Sequence, residues 1–165
     1  MYQINQTVVY SSQGICTVSE ICAREVAGTV ADYYVLKPAA DPRSTVYVPV
    51  NNERLVSRMR AILSAEEAQA LFALLPQLDS AWIANDNARR EQHRAMLTEG
   101  AAADIAAVFK MLALRRSELE TLSRKLRTLD ENTLKQCEKL LCCECAHALG
   151  CSTDEIRTRL YAAIL

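Results

Sequence analysis

The residues of this 165-residue sequence with the most chemistry to offer lie in its second half. Cys142, Cys143, Cys145, His147 and Cys151 cluster there, and Cys142 and Cys145 have the C-x-x-C spacing of half a tetrahedral zinc site. Such a site needs a second ligand pair of matching spacing and places its C-x-x-C at a turn. Here no second pair follows, and the segment falls inside a helical pattern. Cys137 and Cys145 stand with Leu134 and Leu141 where an apolar stripe is required. The expectation is buried or surface thiols, with no metal and no other cofactor. Catalysis is not indicated either: His93 and His147 are the only histidines, and neither belongs to a nucleophile pattern, so the reading is a non-enzyme without a small-molecule substrate.

Trp82 and the cations after it suggest a different chemistry. From Ala84 to Ala95 the chain reads ANDNARREQHRA, without a large apolar residue, and carries Arg89, Arg90 and Arg94. A helix with so little to bury must face solvent or meet a polar partner. An indole can fill an unstacked base step while neighbouring arginines hold phosphates; the same residues also suit a tryptophan packed between domains and a solvated basic face. Arg115, Arg116, Arg124, Lys125 and Arg127 make a second cluster, interrupted by Glu118 and Glu120. Net charge is −1, whereas a general nucleic-acid binder is strongly basic. Any DNA contact must therefore be local, as in Asp86 to Arg127, where 9 Lys/Arg face 6 Asp/Glu.

Seven cysteines without an apolar leader predict a reducing, cytoplasmic setting. No apolar run approaches the roughly 20 residues of a membrane span, so a soluble protein is expected.

These side chains must be positioned by two kinds of structure. Thr7 to Tyr10 alternates with period two, Gly14 supplies a positive φ, and Ile15 to Cys22 reads as a returning strand. Ala31 to Lys37 predicts a third strand, with Tyr34 and Leu36 on one face. Ser44 to Val50 predicts a fourth, with Val46, Val48 and Val50 on one face and Thr45 and Tyr47 on the other. A short strand around Met59 to Leu63 completes a small antiparallel barrel. Ser64-Ala65-Glu66-Glu67 is a capping box opening a helix that Pro76 closes. Four further helices follow: from a cap at Asp79 or Ser80 to about Thr98, with Trp82 in its first turn; from Ala102 to about Leu122; from a cap at Asp130 to Gly150; and from the capping box at Ser152 onward. The expected class is α+β, a small N-terminal antiparallel β-barrel over residues 1–62 followed by an all-α bundle over residues 63–165.

Val8, Val9, Tyr10 and Gly14, with Arg24 after the strand, resemble the "VVYP-x-HG" opening of the CarD/CdnL family of bacterial RNA polymerase-binding transcription regulators. Ser11 and Gln13 stand where the pattern has Pro and His. Tyr33 to Leu36 and Thr45 to Asn51 also look like family strands. A related domain occurs in the transcription-repair coupling factor, but this chain has no GxxxxGK[ST] loop for that protein's ATPase. The helical half is similar to clostridial-type members: a Trp early in the first helix, a Gly between the first two helices, an apolar second helix running into basic residues, and an E-x-L helix near Glu138 to Leu140. The resemblance implies a Tudor-like barrel whose Arg24 and Tyr47 hold the polymerase β subunit. It further implies that Trp82 wedges into promoter DNA at the upstream edge of the bubble, stabilising the open complex without strong sequence specificity. Arg89, Arg90, Arg94, Arg115, Arg116, Arg124 and Lys125 are the associated phosphate candidates. The rival reading is a protein-interaction adaptor on RNA polymerase with no DNA contact.

Overall fold

Thr7–Tyr10 (β1) turns through a short 3-10 segment, Ser11–Gln13, into Gly14–Val26 (β2), and Gly14 takes the expected positive φ of 72°. β2 is longer than its sequence pattern suggested. Ala27 and Gly28, at φ 52° and 79°, form a two-residue turn of the twist that hairpins favour, so pairing continues from its edge, Val26 opposite Thr29, into Thr29–Pro38 (β3). Val46–Pro49 (β4), the single helical turn Glu53–Val56 (α1) and Met59–Ala61 (β5) complete this part.

The strands make one antiparallel sheet in the order β4-β3-β2-β1-β5. It is not closed, with β4 and β5 as its edges, so strand pairing alone does not complete the small antiparallel barrel expected from the strand spacing. Val8, Tyr10, Cys16, Val18, Tyr34, Leu36, Val48 and Met59 bury one face, the set that period-two alternation selects. Register slips between Val18 and Glu20, where the Ser19 hydroxyl donates to the Val35 carbonyl at 3.0 Å.

The structure is a computed structural model describing Met1 to Leu165, and the chain divides into the units Met1–Ile62 and Leu63–Leu165. The second unit begins with the capping box. Ser64 Oγ accepts from the Glu67 amide at 3.1 Å, and the Glu67 carboxylate accepts from the Ser64 amide at 2.8 Å, starting Ala65–Leu74 (α2). Pro76 lies in a closing 3-10 turn, Leu75–Gln77. Asp86–Glu99 (α3), Ala102–Thr121 (α4), Thr128–Leu149 (α5) and Thr153–Ala162 (α6) follow.

Two expected helix starts are corrected. α3 begins at Asp86, because Asn85 Oδ1 accepts from the Ala88 amide at 2.9 Å, whereas Asp79 spends its carboxylate on the nearby Ala81 amide at 3.0 Å. Trp82 therefore precedes α3 and lies in irregular chain. α5 begins before Asp130, which sits inside the first turn. Phe109, Leu112, Leu134, Leu141, Ile156 and Leu160 centre the helical core, with Cys137 and Cys145 in it as the stripe required. Gly100 is needed where α3 meets α4: a Cβ there would stand 2.3 Å from the Met96 carbonyl oxygen and 2.9 Å from Asp104 Cβ. Gly150 ends α5 at φ 64°. No helix is long and apolar enough to cross a membrane.

Candidate functional site

On the sheet, Tyr47 pairs in register with Val35, and Arg24 with Ala31. Val35 and Ala31 alternate with Tyr34 and Leu36, so Arg24 and Tyr47 share the face turned away from the core. Tyr47 is 44% exposed, while its neighbour Val48 is fully buried. The Arg24 guanidinium carbon lies 4.0 Å from the Tyr47 ring centroid. Two residues 23 positions apart in sequence thus present one cationic aromatic surface.

In the helical unit Trp82 is half-buried and packs against the core cluster. Arg89 lies with its guanidinium carbon 4.2 Å from the indole centroid, and Arg115 at 5.2 Å. Arg89 is not the solvent-facing phosphate donor expected of it. It is 1% exposed, and Asp130, 3% exposed, holds it with a two-oxygen fork: Nε donates to Oδ1 at 3.2 Å and Nη2 to Oδ2 at 2.9 Å. Nη2 also donates to Asp86 Oδ1 at 2.8 Å, and Nη1 to the Ile83 carbonyl at 2.8 Å. Within the otherwise mostly exposed polar run after Trp82, Arg89 thus meets a polar partner 41 residues on in place of solvent. His93, one turn further along α3, is buried too, with Nε2 unpartnered; burial, with some help from Arg89 and against the Asp130 charge, pulls its pKa below the ordinary 6.5.

Around Trp82 opens a hollow of about 180 Å³. It brings together Trp82, Arg89, Arg115, Arg124 and Lys125 of the expected residues and adds Arg127. Arg115 pairs with Glu118 at 2.9 Å and Arg127 with Asp86, leaving Arg124 and Lys125 as the cations of this hollow without an ion pair. Arg124 and Lys125 also line an adjoining hollow with Arg116 and Glu131. Arg116 donates to the Tyr161 hydroxyl at 2.9 Å and lies 3.6 Å from Glu131, so it is largely engaged inside the bundle. Tyr161 in turn donates to Glu138 at 2.8 Å; burial, then this bond, pushes its hydroxyl up to about 12. Arg90 and Arg94 are exposed on α3 but line neither hollow. Outside the hollow, the Lys110 ammonium donates to the Pro76 and Leu78 carbonyls at 2.7 Å each, just before the segment that carries Trp82.

Sequence reasoning missed Asp130 as part of the site, since an Asp at a helix start reads as a cap. Arg127 was legible as one of a run of cations, but its pairing with Asp86 was not. Among the cysteines, burial pushes Cys137 and Cys142 up to about 12 and Cys16 up to about 11. No three Cys, His, Asp or Glu side chains are grouped to hold a metal ion.

A comparison with curated proteins gives no match. Residues 2–60, almost the whole of the sheet unit, match the family model of the CarD-like/TRCF RID domain, a likeness that points to a transcription-related interaction with RNA polymerase.

Proposed function

We propose that this protein is a non-catalytic transcription regulator that holds the RNA polymerase β subunit through the Arg24 and Tyr47 face of its sheet. Its helical unit meets promoter DNA at the upstream edge of the bubble and stabilises the open complex. The family match of residues 2–60 supports the polymerase half. The DNA half rests on one observation: a half-buried indole at the rim of a hollow in which Arg124 and Lys125 are unpaired. Cations at such a rim position a duplex through its phosphates, and an aromatic edge can replace a base neighbour at an opened step; neither reads sequence. No base code is available from this set, so the effect extends to promoters of different sequence.

The test is the lifetime of promoter open complexes with wild type and Trp82→Ala. Losing one stacked aromatic costs about 1–3 kcal/mol, roughly fivefold to more than a hundredfold in an equilibrium. Lifetime should fall by that order while polymerase binding persists, since the two contacts lie on different units. A wild-type protein that binds polymerase and leaves open-complex lifetime unaltered would make it an adaptor without DNA contact.

A further inference from the structure

We infer that Arg89 is a positioning residue for Trp82: it fixes the indole at the rim of the hollow and acts on nucleic acid through that ring without touching phosphate. The functional part of this inference rests on the DNA reading above; the positioning part does not. Trp82 lies in the irregular chain from Ala81 to Asn85, where no helix or strand ladder sets the backbone. A side chain there is placed by its packing against the helical core and by the groups that grip it.

Arg89 supplies the grip in two ways. Its Nη1 donates to the carbonyl of Ile83, the residue directly after Trp82, and its guanidinium carbon lies over the indole, 4.2 Å from the centroid. The guanidinium is itself immobilised. Nε and Nη2 are forked onto Asp130 at 3.2 and 2.9 Å, and Nη2 reaches Asp86 at 2.8 Å. Four of its five N–H groups are so engaged, and with the side chain 1% exposed the fifth has almost no surface from which to reach a phosphate oxygen. The remaining asset is the flat cation itself, which stacks on tryptophan better than on any other ring. α5, through Asp130, thereby sets the position of an aromatic residue that stands 48 positions earlier in the chain.

The chain has a single tryptophan, so its fluorescence reports this site alone. Arg89→Lys keeps the charge but cannot offer a planar fork. In the 165-residue protein, acrylamide quenching of Trp82 should rise towards that of free indole in Arg89→Lys, with far-ultraviolet circular dichroism at the wild-type level. Arg90→Lys, exposed and one residue on, should leave quenching unaltered. Equal quenching in folded Arg89→Lys and wild type would overturn the inference. Where Arg89→Lys does not fold, the wild type decides: nuclear magnetic resonance should show one slowly exchanging arginine Nε–H, displaced by the indole ring current and returned in Trp82→Leu. Absence of that signal is equally fatal.

On promoter complexes, Arg89→Lys should shorten open-complex lifetime as Trp82→Ala does, and the double variant should be no worse than Trp82→Ala alone. A further loss in the double variant would mean that Arg89 touches DNA independently. If wild type does not alter lifetime, the DNA reading fails, and quenching and resonance still decide the positioning.

Discussion

The guanidinium of Arg24 stacks on the ring of Tyr47, 4.0 Å from its centroid, across the β3 strand that separates them in the sheet. An exposed pair of this kind contributes about 0.5–1 kcal/mol. Its larger effect is geometric, because each side chain holds the other in one orientation on an open surface. Arg24→Ala and Tyr47→Ala should therefore each weaken polymerase β binding, and the double variant should lose less than the two single losses combined. Binding isotherms for the four proteins check this; strict additivity would show that the two residues act separately.

Arg124 and Lys125 are the unpaired cations beside Trp82, and their effect should be readable in salt. Each phosphate neutralised contributes about 0.9 to the slope of log affinity against log salt on duplex DNA. Removing both charges, Arg124→Ala with Lys125→Ala, should flatten the salt dependence of open-complex stabilisation by up to roughly two such steps. Arg116→Ala should flatten it less, since Tyr161 and Glu131 already engage that side chain. An unaltered slope in the Arg124 and Lys125 variant places the phosphates elsewhere.

Asp130 is a stability residue as well as a site residue. Asp130→Ala leaves the Arg89 guanidinium buried with Asp86 as its remaining carboxylate, and breaking a buried pair in this way costs about 3–5 kcal/mol. Urea denaturation should show a loss of that order. Glu118→Ala, which breaks the more exposed pair with Arg115, should cost no more than about 1 kcal/mol.

His93 makes the helical unit sensitive to mild acid. Its folded pKa lies below 6.5 because burial disfavours the charged ring, so the unfolded chain takes up the proton first as pH falls. The stability contributed by neutral His93 is complete above about 6.5 and declines on acidification from there through the lower folded value. Melting temperature between pH 7 and 5 should fall more steeply for wild type than for His93→Gln. Parallel curves would mean that other groups set the acid limit.

Much of this architecture was legible where the signal is local. The alternation at Val46 to Val48 placed Tyr47 outward, and the Ser64 and Glu67 pair marked the start of α2, because strand faces and caps depend on residues two or three positions apart. The boundaries of α3 were not legible, since Asp79, Ser80 and Asn85 are all competent caps and only the fold shows which amide each one meets. Arg89 was misread for a stronger reason. Its partner Asp130 is 41 residues away, and a buried ion pair of that separation leaves no periodic trace in a sequence. Closure of the sheet was equally out of reach, because alternation reports which face of a strand is buried and carries no information on whether the edge strands join.

Lys110 and Arg89 together hold the chain on both sides of Trp82, one on the Leu78 carbonyl from α4 and the other on the Ile83 carbonyl from α3. The span between these two anchors acts as a ruler. One residue inserted into an extended chain adds up to about 3.3–3.6 Å, comparable with the thickness of one stacked ring. Lengthening the span between Leu78 and Trp82 by a single residue would force the chain to loop out or to give up one of these grips, so chain length here is as much a determinant of the site as the identity of the tryptophan.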